Sequence, residues 1–337
     1  MQFVVKRDIL LKSLNFVQGV VEKKNTLPIL SNVLLQLKDD KLYIIATDLD
    51  IIFFDEISEV KIIKEGSTTT SAAVLYDILR KISSNSELNF DLKSNNKLSL
   101  KSDNSDFNLL SLPTDNFPTF VDDFKDNEIT LNNSKFLKLL NKTKISISND
   151  DTRHYLNGIF LHLTEVDGRN FLTGVATDSH RLSSSSLELD NSNGFSPIIL
   201  PRKTVFQLCS LLTDASGQLS VQIRENKIKF SIGKIKLISK VIDGKFPDYN
   251  KVVPKNNNMT LKVASKDFIS SIERVASVSI DGKEGVKLAI SQDNVQLSVN
   301  SASSGEGNEK INAKFNSDNL NISFNSKYLI DIASEIE

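Results

Sequence analysis

Apolar and polar positions alternate along this chain with two different periods. Leu75, Ile78, Leu79 and Ile82 fall at the i, i+3, i+4, i+7 spacing of one helix face. Val205, Leu208, Cys209 and Leu212 repeat that spacing about 130 residues later, and Leu329, Ile332, Ala333 and Ile336 repeat it again. An earlier helix recurs in the same way, as Leu10, Leu14, Val17, then Phe136, Leu140, then Phe268, Ile272, Val275. Between the two helices of each unit the period falls to two. Val33, Leu35 and Leu37 correspond to Ile159, Leu161 and Leu163, and then to Val286, Leu288 and Ile290. The turn strings "KDDK", "EVDGRN" and "SQDN" follow these strands, as hairpins require.

Short strings recur at the same interval. "ATD" stands at 46–48 and 176–178, and "FP" at 117–118 and 246–247, each "FP" after a similar strand. The chain therefore reads as three tandem α+β units over residues 1–120, 128–250 and 258–337. Each has two helices packed on antiparallel sheet. By comparison with the first unit, the third stops inside its second helix, so it is expected to be incomplete.

Composition narrows the function. With 39% hydrophobic and 25% charged residues among 337, the chain has the balance of a soluble globular protein. No apolar run is long enough to span a bilayer, and the start has too short an apolar segment for a signal peptide. The single cysteine, Cys209, fits a reducing cytoplasm. The three histidines, His154, His162 and His180, lie at no zinc-ligand spacing, and no calcium loop, P-loop or dinucleotide fingerprint is present. No metal and no cofactor are expected.

"VATDSHRL" (175–182) tempts a hydrolase reading, with Ser179 as nucleophile and His180 as base. Sequence neighbours cannot all point at one reacting atom, and no G-x-S-x-G elbow surrounds any serine. The copy of "ATD" at 46–48 carries neither Ser nor His after it, so no catalysis is expected.

The net charge of −1 conceals an uneven distribution. The helical segments 6–21, 70–83, 132–148, 200–213, 264–279 and 323–337 carry +2, +1, +4, +2, 0 and −2, so the remainder is acidic. Basic helices on an acidic body suit attraction to phosphate. Without a recognition-helix motif or an aromatic-interleaved basic stripe, base readout is not expected.

The strings "TLPILSN" (26–32), "TDLD" (47–50), "RHYLNGI" (153–159), "VATDSHRL", "LPRK" (200–203), "DGKFPDYNKVVPK" (243–255) and "FNSKY" (324–328) resemble the bacterial β sliding clamp family, the processivity factors of DNA polymerase III. The likeness is in register from Met1 to Glu337. It implies three similar clamp domains and a head-to-tail homodimer closed into a ring around double-stranded DNA, helices inward and sheets outward. It implies a nucleoid-associated cytoplasmic protein that tethers the polymerase III catalytic subunit, the clamp loader and repair polymerases.

Residue roles follow from the same likeness. It assigns a partner-peptide pocket to Leu156, Thr177, Ser179, His180, Arg181, Leu182, Pro247, Lys251, Val252, Asn325 and Tyr328, although Tyr328 reads equally well as a core aromatic. DNA contacts fall to Lys24, Arg80, Arg153, His154, Tyr155, Arg202 and Lys203, and the dimer seam to Phe107, Leu109, Ser277 and Val278. The chain departs from the family pattern with Ser179 where glycine is frequent, Lys251 where arginine is frequent, and His154 where an aromatic is common. The family's C-terminal pocket strand is missing. That last point motivates an alternative, a truncated clamp-derived interaction module that does not encircle DNA.

Overall fold

In the computed structural model, residues 1–22, 27–93, 96–120, 122–124, 128–189, 195–279 and 285–336 are described. The first repeat runs β1 (Gln2–Lys6), α1 (Arg7–Val17), β2 (Asn32–Lys38), β3 (Lys41–Thr47), β4 (Ile51–Ile57), β5 (Val60–Lys64), β6 (Gly66–Ser71), α2 (Ala72–Lys81), β7 (Glu87–Lys93), β8 (Lys97–Ser102) and β9 (Ser105–Leu112). The second runs β10 (Glu128–Asn132), α3 (Asn133–Lys144), β11 (Gly158–Val166), β12 (Arg169–Thr177), β13 (Leu182–Glu188), β14 (Ile198–Pro201), α4 (Arg202–Thr213), β15 (Gln218–Arg224), β16 (Lys227–Ile232) and β17 (Ile235–Lys240). The third runs β18 (Leu261–Lys262), α5 (Ser265–Ala276), β19 (Gly285–Ile290), β20 (Asn294–Ser301), β21 (Gly305–Asn312), β22 (Lys314–Phe315), β23 (Leu320–Asn325) and α6 (Ser326–Ser334).

Strand order repeats with element order. The first repeat pairs β4-β3-β2-β6, the second β13-β12-β11-β14, and the third β21-β20-β19-β23. Val33, Ile159 and Val286 thus lie on equivalent central strands. The two-residue turns match as well: Asp39 and Asp40 have φ 52° and 57°, and Asp167 and Gly168 have φ 51° and 73°. Two consecutive positive φ values suit the right-handed twist of a tight hairpin, and Asp and Gly tolerate them. Helix starts are fixed by caps: Asn132 Oδ1 accepts from Lys135 N at 3.0 Å, and Asn325 Oδ1 from Lys327 N at 2.9 Å.

The chain divides into two units, Met1–Lys245 and Phe246–Glu337. The first two repeats merge for a physical reason. The last strand of the second, β17, adds to β4 of the first through the register Lys236↔Phe54, Leu237↔Phe53, Ile238↔Ile52 and Ser239↔Ile51. A thirteen-stranded sheet results. One apolar core runs through both repeats, and the helix-face residues Leu10, Leu14, Leu75, Leu79, Phe136, Leu140, Val205 and Leu208 are all fully buried in it.

The second unit has its own core around Ile272, Val286, Leu288, Val295 and Leu297. Here one expectation changes. Ala333 is buried, but Ile332 and Ile336 on the same predicted face stay 48% and 63% exposed. In the first two repeats three strands follow the second helix, and among the described residues none follows α6.

Candidate functional site: the docking loop and the basic helices

The recurring "ATD" builds one loop twice. In the first copy Thr47 Oγ1 donates to Ile51 O at 2.8 Å and accepts from Leu49 N at 3.0 Å, while Asp48 Oδ1 accepts from Asp50 N and Ile51 N at 2.9 and 2.7 Å. In the second, Thr177 Oγ1 donates to Arg181 O at 2.7 Å and accepts from Ser179 N at 3.1 Å, while Asp178 Oδ1 accepts from His180 N and Arg181 N at 2.9 and 3.0 Å. Leu49 and Ser179 occupy the same left-handed position, at φ 79° and 76°. Thr and Asp are there because their short polar side chains satisfy the backbone of a tight β–β connection.

The copies differ in what they display. Where the first has Leu49, Asp50 and the buried Ile51, the second presents Ser179, His180 and Arg181. Asp178 Oδ2 accepts from Arg181 Nε at 3.0 Å and fixes that guanidinium, the two side chains being 15% and 19% exposed. Ser179 Oγ accepts from Arg153 Nη1 at 2.6 Å. A guanidinium cannot take a proton, so this contact offers no activation of a nucleophile. Arg153 also donates from Nε to Asp150 Oδ2 at 2.8 Å. Bonds from Thr152 and then from Arg153 hold the Asp150 carboxyl down to about 2. Thr177 and Leu182 are half-buried at the ends of the loop, and the rings of His154 and Tyr155 meet edge to face 5.9 Å apart. Leu156, at the end of the turn that carries Arg153 and His154, is 2% exposed.

In the first unit the helices lie side by side in the order α2, α1, α4, α3. Gln18 Nε2 donates to Ala72 O at 3.1 Å, and Gln207 Nε2 donates to Phe16 O at 2.6 Å. A Cβ on Gly19 would stand 1.9 Å from Gln207 Oε1, so a side chain there would push that amide aside. Arg80 extends from the last turn of α2, paired with Asp77 at 3.5 Å. Arg202 opens α4, with its guanidinium 4.8 Å from the centre of the exposed Phe206 ring.

Lys203, expected at phosphate, is ion-paired within the chain. Its ammonium donates to Asp48 Oδ2 at 2.5 Å and to Val20 O at 2.8 Å, with Glu22 at 3.5 Å, so its charge is spent joining the two repeats. Lys24 lies outside the described residues.

In the second unit Pro247 and Val252 are exposed, and Lys251 pairs with Asp248 at 3.3 Å. The Asn325 side chain is engaged as the cap of α6, and Tyr328 is half-buried on that helix. Ser277 is exposed, with its Oγ donating to Arg274 O at 2.6 Å, and Val278 lies against Gly307.

Family models for the N-terminal, central and C-terminal domains of the DNA polymerase III beta subunit match residues 1–121, 130–248 and 250–337. The beta sliding clamp of Caulobacter vibrioides is 35% identical over 338 residues, covering 100% of this chain and 91% of that protein. That of Escherichia coli K12 is 33% identical, also covering 100% and 91%. The chain belongs to the beta sliding clamp family.

Solved clamps agree. A clamp from Bartonella birtlesii bound to griselimycin is 38% identical with a TM-score of 0.94, and one from Caulobacter crescentus is 34% identical with 0.93. Both comparisons cover 100% of this chain and 90% of the solved one. The expectation of a truncation finds no support in these likenesses. As a member of this family the clamp is a non-catalytic processivity factor of DNA replication, which removes the hydrolase reading. Among the described residues no helix is long and apolar enough to cross a membrane.

On β9, the strand that carries the expected seam residues Phe107 and Leu109, neighbouring leucines differ in exposure. Leu109 is 8% exposed and packs in the core, whereas its neighbour Leu110 is 79% exposed. Phe107 packs partly buried against the same core. The pairing of Leu98 with Leu109 sets this register. The sequence carried no signal for the β17–β4 junction, because pairing between repeats depends on which edges the fold leaves open.

Proposed function

We propose that this clamp closes as a head-to-tail dimer around duplex DNA and tethers polymerase III and other replication and repair proteins through the 177–182 loop. The β17–β4 ladder carries the reading. It is a junction in which the last strand of one repeat extends the sheet of another. Residues 107–110 of β9 are the counterparts of the β17 residues that make this ladder, and β9 pairs with β6 only through Leu112 and Ser111. β21, the counterpart of β4, is the edge of its sheet. A second copy that pairs its β21 with β9 repeats the junction, and such heterologous contacts close when the curvature fits.

DNA contact is assigned to Arg80, Arg153, His154, Tyr155, Arg202 and Lys24, each a weak, sequence-independent attraction screened by salt. On the loop, His180 and Arg181 orient a partner peptide and Leu182 receives an apolar side chain. Pro247, Lys251, Val252, Asn325 and Tyr328 are proposed as further peptide contacts from the second unit. The polymerase III catalytic subunit, the clamp loader and repair polymerases are the proposed partners, met in the cytoplasm at the nucleoid.

Retention on DNA tests the reading. Loaded clamp stays on a nicked circular plasmid and runs off when the plasmid is cut once. Equal retention on circular and linear DNA refutes encirclement.

A further inference from the structure

Residues 114–120 and Asp122, which follow the first repeat, form a strap with a cavity beneath it. The cavity has a volume of about 370 Å³, within the range of ligand pockets. Its floor is the face of the sheet turned away from the buried Val33, Leu35, Ile44, Phe53 and Leu237. There Leu34 stands opposite Ile45, Ile45 opposite Phe54, Phe54 opposite Lys236, and Ile52 opposite Ile238. The row crosses four strands and both repeats. Phe117, Pro118 and Phe120 close over it.

The rim carries charged groups. Asp122 fastens the strap by accepting from Lys229 at 2.8 Å and from Lys236 at 3.0 Å. Of these groups Asp122 and Lys236 line the cavity, while Lys229 is buried behind Asp122. The Lys236 ammonium lies 5.6 Å from the centre of the Phe54 ring, at the mouth of the apolar floor. Gln36 lines the same cavity and offers an amide that both donates and accepts.

We infer that this cavity is a second peptide-docking site. It takes a short extended segment that places one large apolar side chain on the Leu34–Ile45–Phe54 row and an adjacent carboxylate at Lys236. The occupant's class rests on the proposed function. "FP" at 117–118 repeats "FP" at 246–247, and peptide contact has been proposed at the second of these through Pro247. The location rests on this cavity alone. Its apolar floor fits an aliphatic or aromatic side chain, and the half-exposed Lys236 ammonium at its mouth fits an acidic neighbour. The clamp would then hold two peptides per chain, one on the 177–182 loop and one under the strap.

The probe is a fluorescein-labelled hexapeptide of glycine, serine, leucine, aspartate, leucine and phenylalanine, titrated into the whole chain, with stoichiometry read at saturation. Wild type is expected to bind two equivalents, Leu182→Asp one, Leu34→Trp one, and the double variant none. Leu34→Trp fills the cavity with an apolar side chain, and an unchanged melting temperature shows that it folds. Gln36→Glu, which repels the peptide's carboxylate, is expected to weaken the site that survives in Leu182→Asp by about tenfold. One equivalent in wild type, lost in Leu182→Asp, overturns the second site and leaves the loop reading standing. One equivalent that survives Leu182→Asp and disappears in Leu34→Trp supports the strap site and overturns the loop reading. Stoichiometry unchanged by Leu34→Trp overturns the inference in any background.

Discussion

Lys203 Nζ stands 2.5 Å from Asp48 Oδ2, across the boundary between the first two repeats, and the Asp48 side chain is only 8% exposed. The same carboxylate caps its own loop through Oδ1. One aspartate therefore shapes the connection between β3 and β4 and anchors α4 of the next repeat. Lys203→Ala leaves that carboxylate nearly buried without its cation. A broken buried pair costs about 3–5 kcal/mol, and the 36% exposure of Lys203 reduces this to roughly 1–3 kcal/mol. Denaturant unfolding measures the loss. The salt dependence of DNA binding is expected to stay at the wild-type slope in Lys203→Ala and to drop by about one in Arg202→Ala. Equal slopes for the two variants would return Lys203 to phosphate contact.

The left-handed residues of the twin loops respond differently to glycine. Leu49 is 47% exposed at φ 79°. An L-residue there costs about 1–2 kcal/mol, against about 0.5–1 kcal/mol of extra chain entropy for glycine. Leu49→Gly is therefore expected to stabilise by roughly 0.5–1 kcal/mol in a thermal melt. Ser179→Gly gains the same relief but loses the hydroxyl held by Arg153, worth about 1 kcal/mol, so its melt should stay near wild type.

Neighbouring leucines on β9 separate folding from assembly. Leu110→Asp places a charge on the exposed face and is expected to shift analytical ultracentrifugation from dimer to monomer with the fold intact. Leu109→Asp puts an uncompensated carboxylate in the core and is expected to unfold the first repeat. A dimer that tolerates Leu110→Asp would move the seam away from β9.

These cases show which parts of the molecule were legible in its sequence. The helices were, because Leu75/Leu79 and Val205/Leu208 mark buried faces by spacing alone. The central hairpins were, because Asp-Asp and Asp-Gly turns follow alternating strands. In "FNLLSL" two adjacent leucines left the inward register of β9 open, and only the ladder to Leu98 decides it. Lys203 reads as a free cation in a basic helix, since its partner lies 155 positions away. The strap cavity needs four strands from two repeats, and no local pattern announces such a junction.

Protonation of Glu309 supplies the last test. On β21, the proposed seam strand, Glu309 accepts from Arg274 Nε at 2.9 Å and from Ser271 Oγ at 2.7 Å. These bonds, that from Arg274 first, hold its carboxyl at about 2, below the ordinary 4.5. A group whose pKa is depressed by folding stabilises the fold above its unfolded value, and the contribution fades as pH falls through the folded one. The tie between α5 and β21 should therefore be complete at pH 7, still largely intact at pH 4, and lost near pH 2. Glu309→Gln removes the charge at every pH. Its melting temperature should lie below wild type at pH 7, and the two should converge as pH approaches 2. A constant gap down to pH 2 would show that the carboxylate's charge does not hold these elements together.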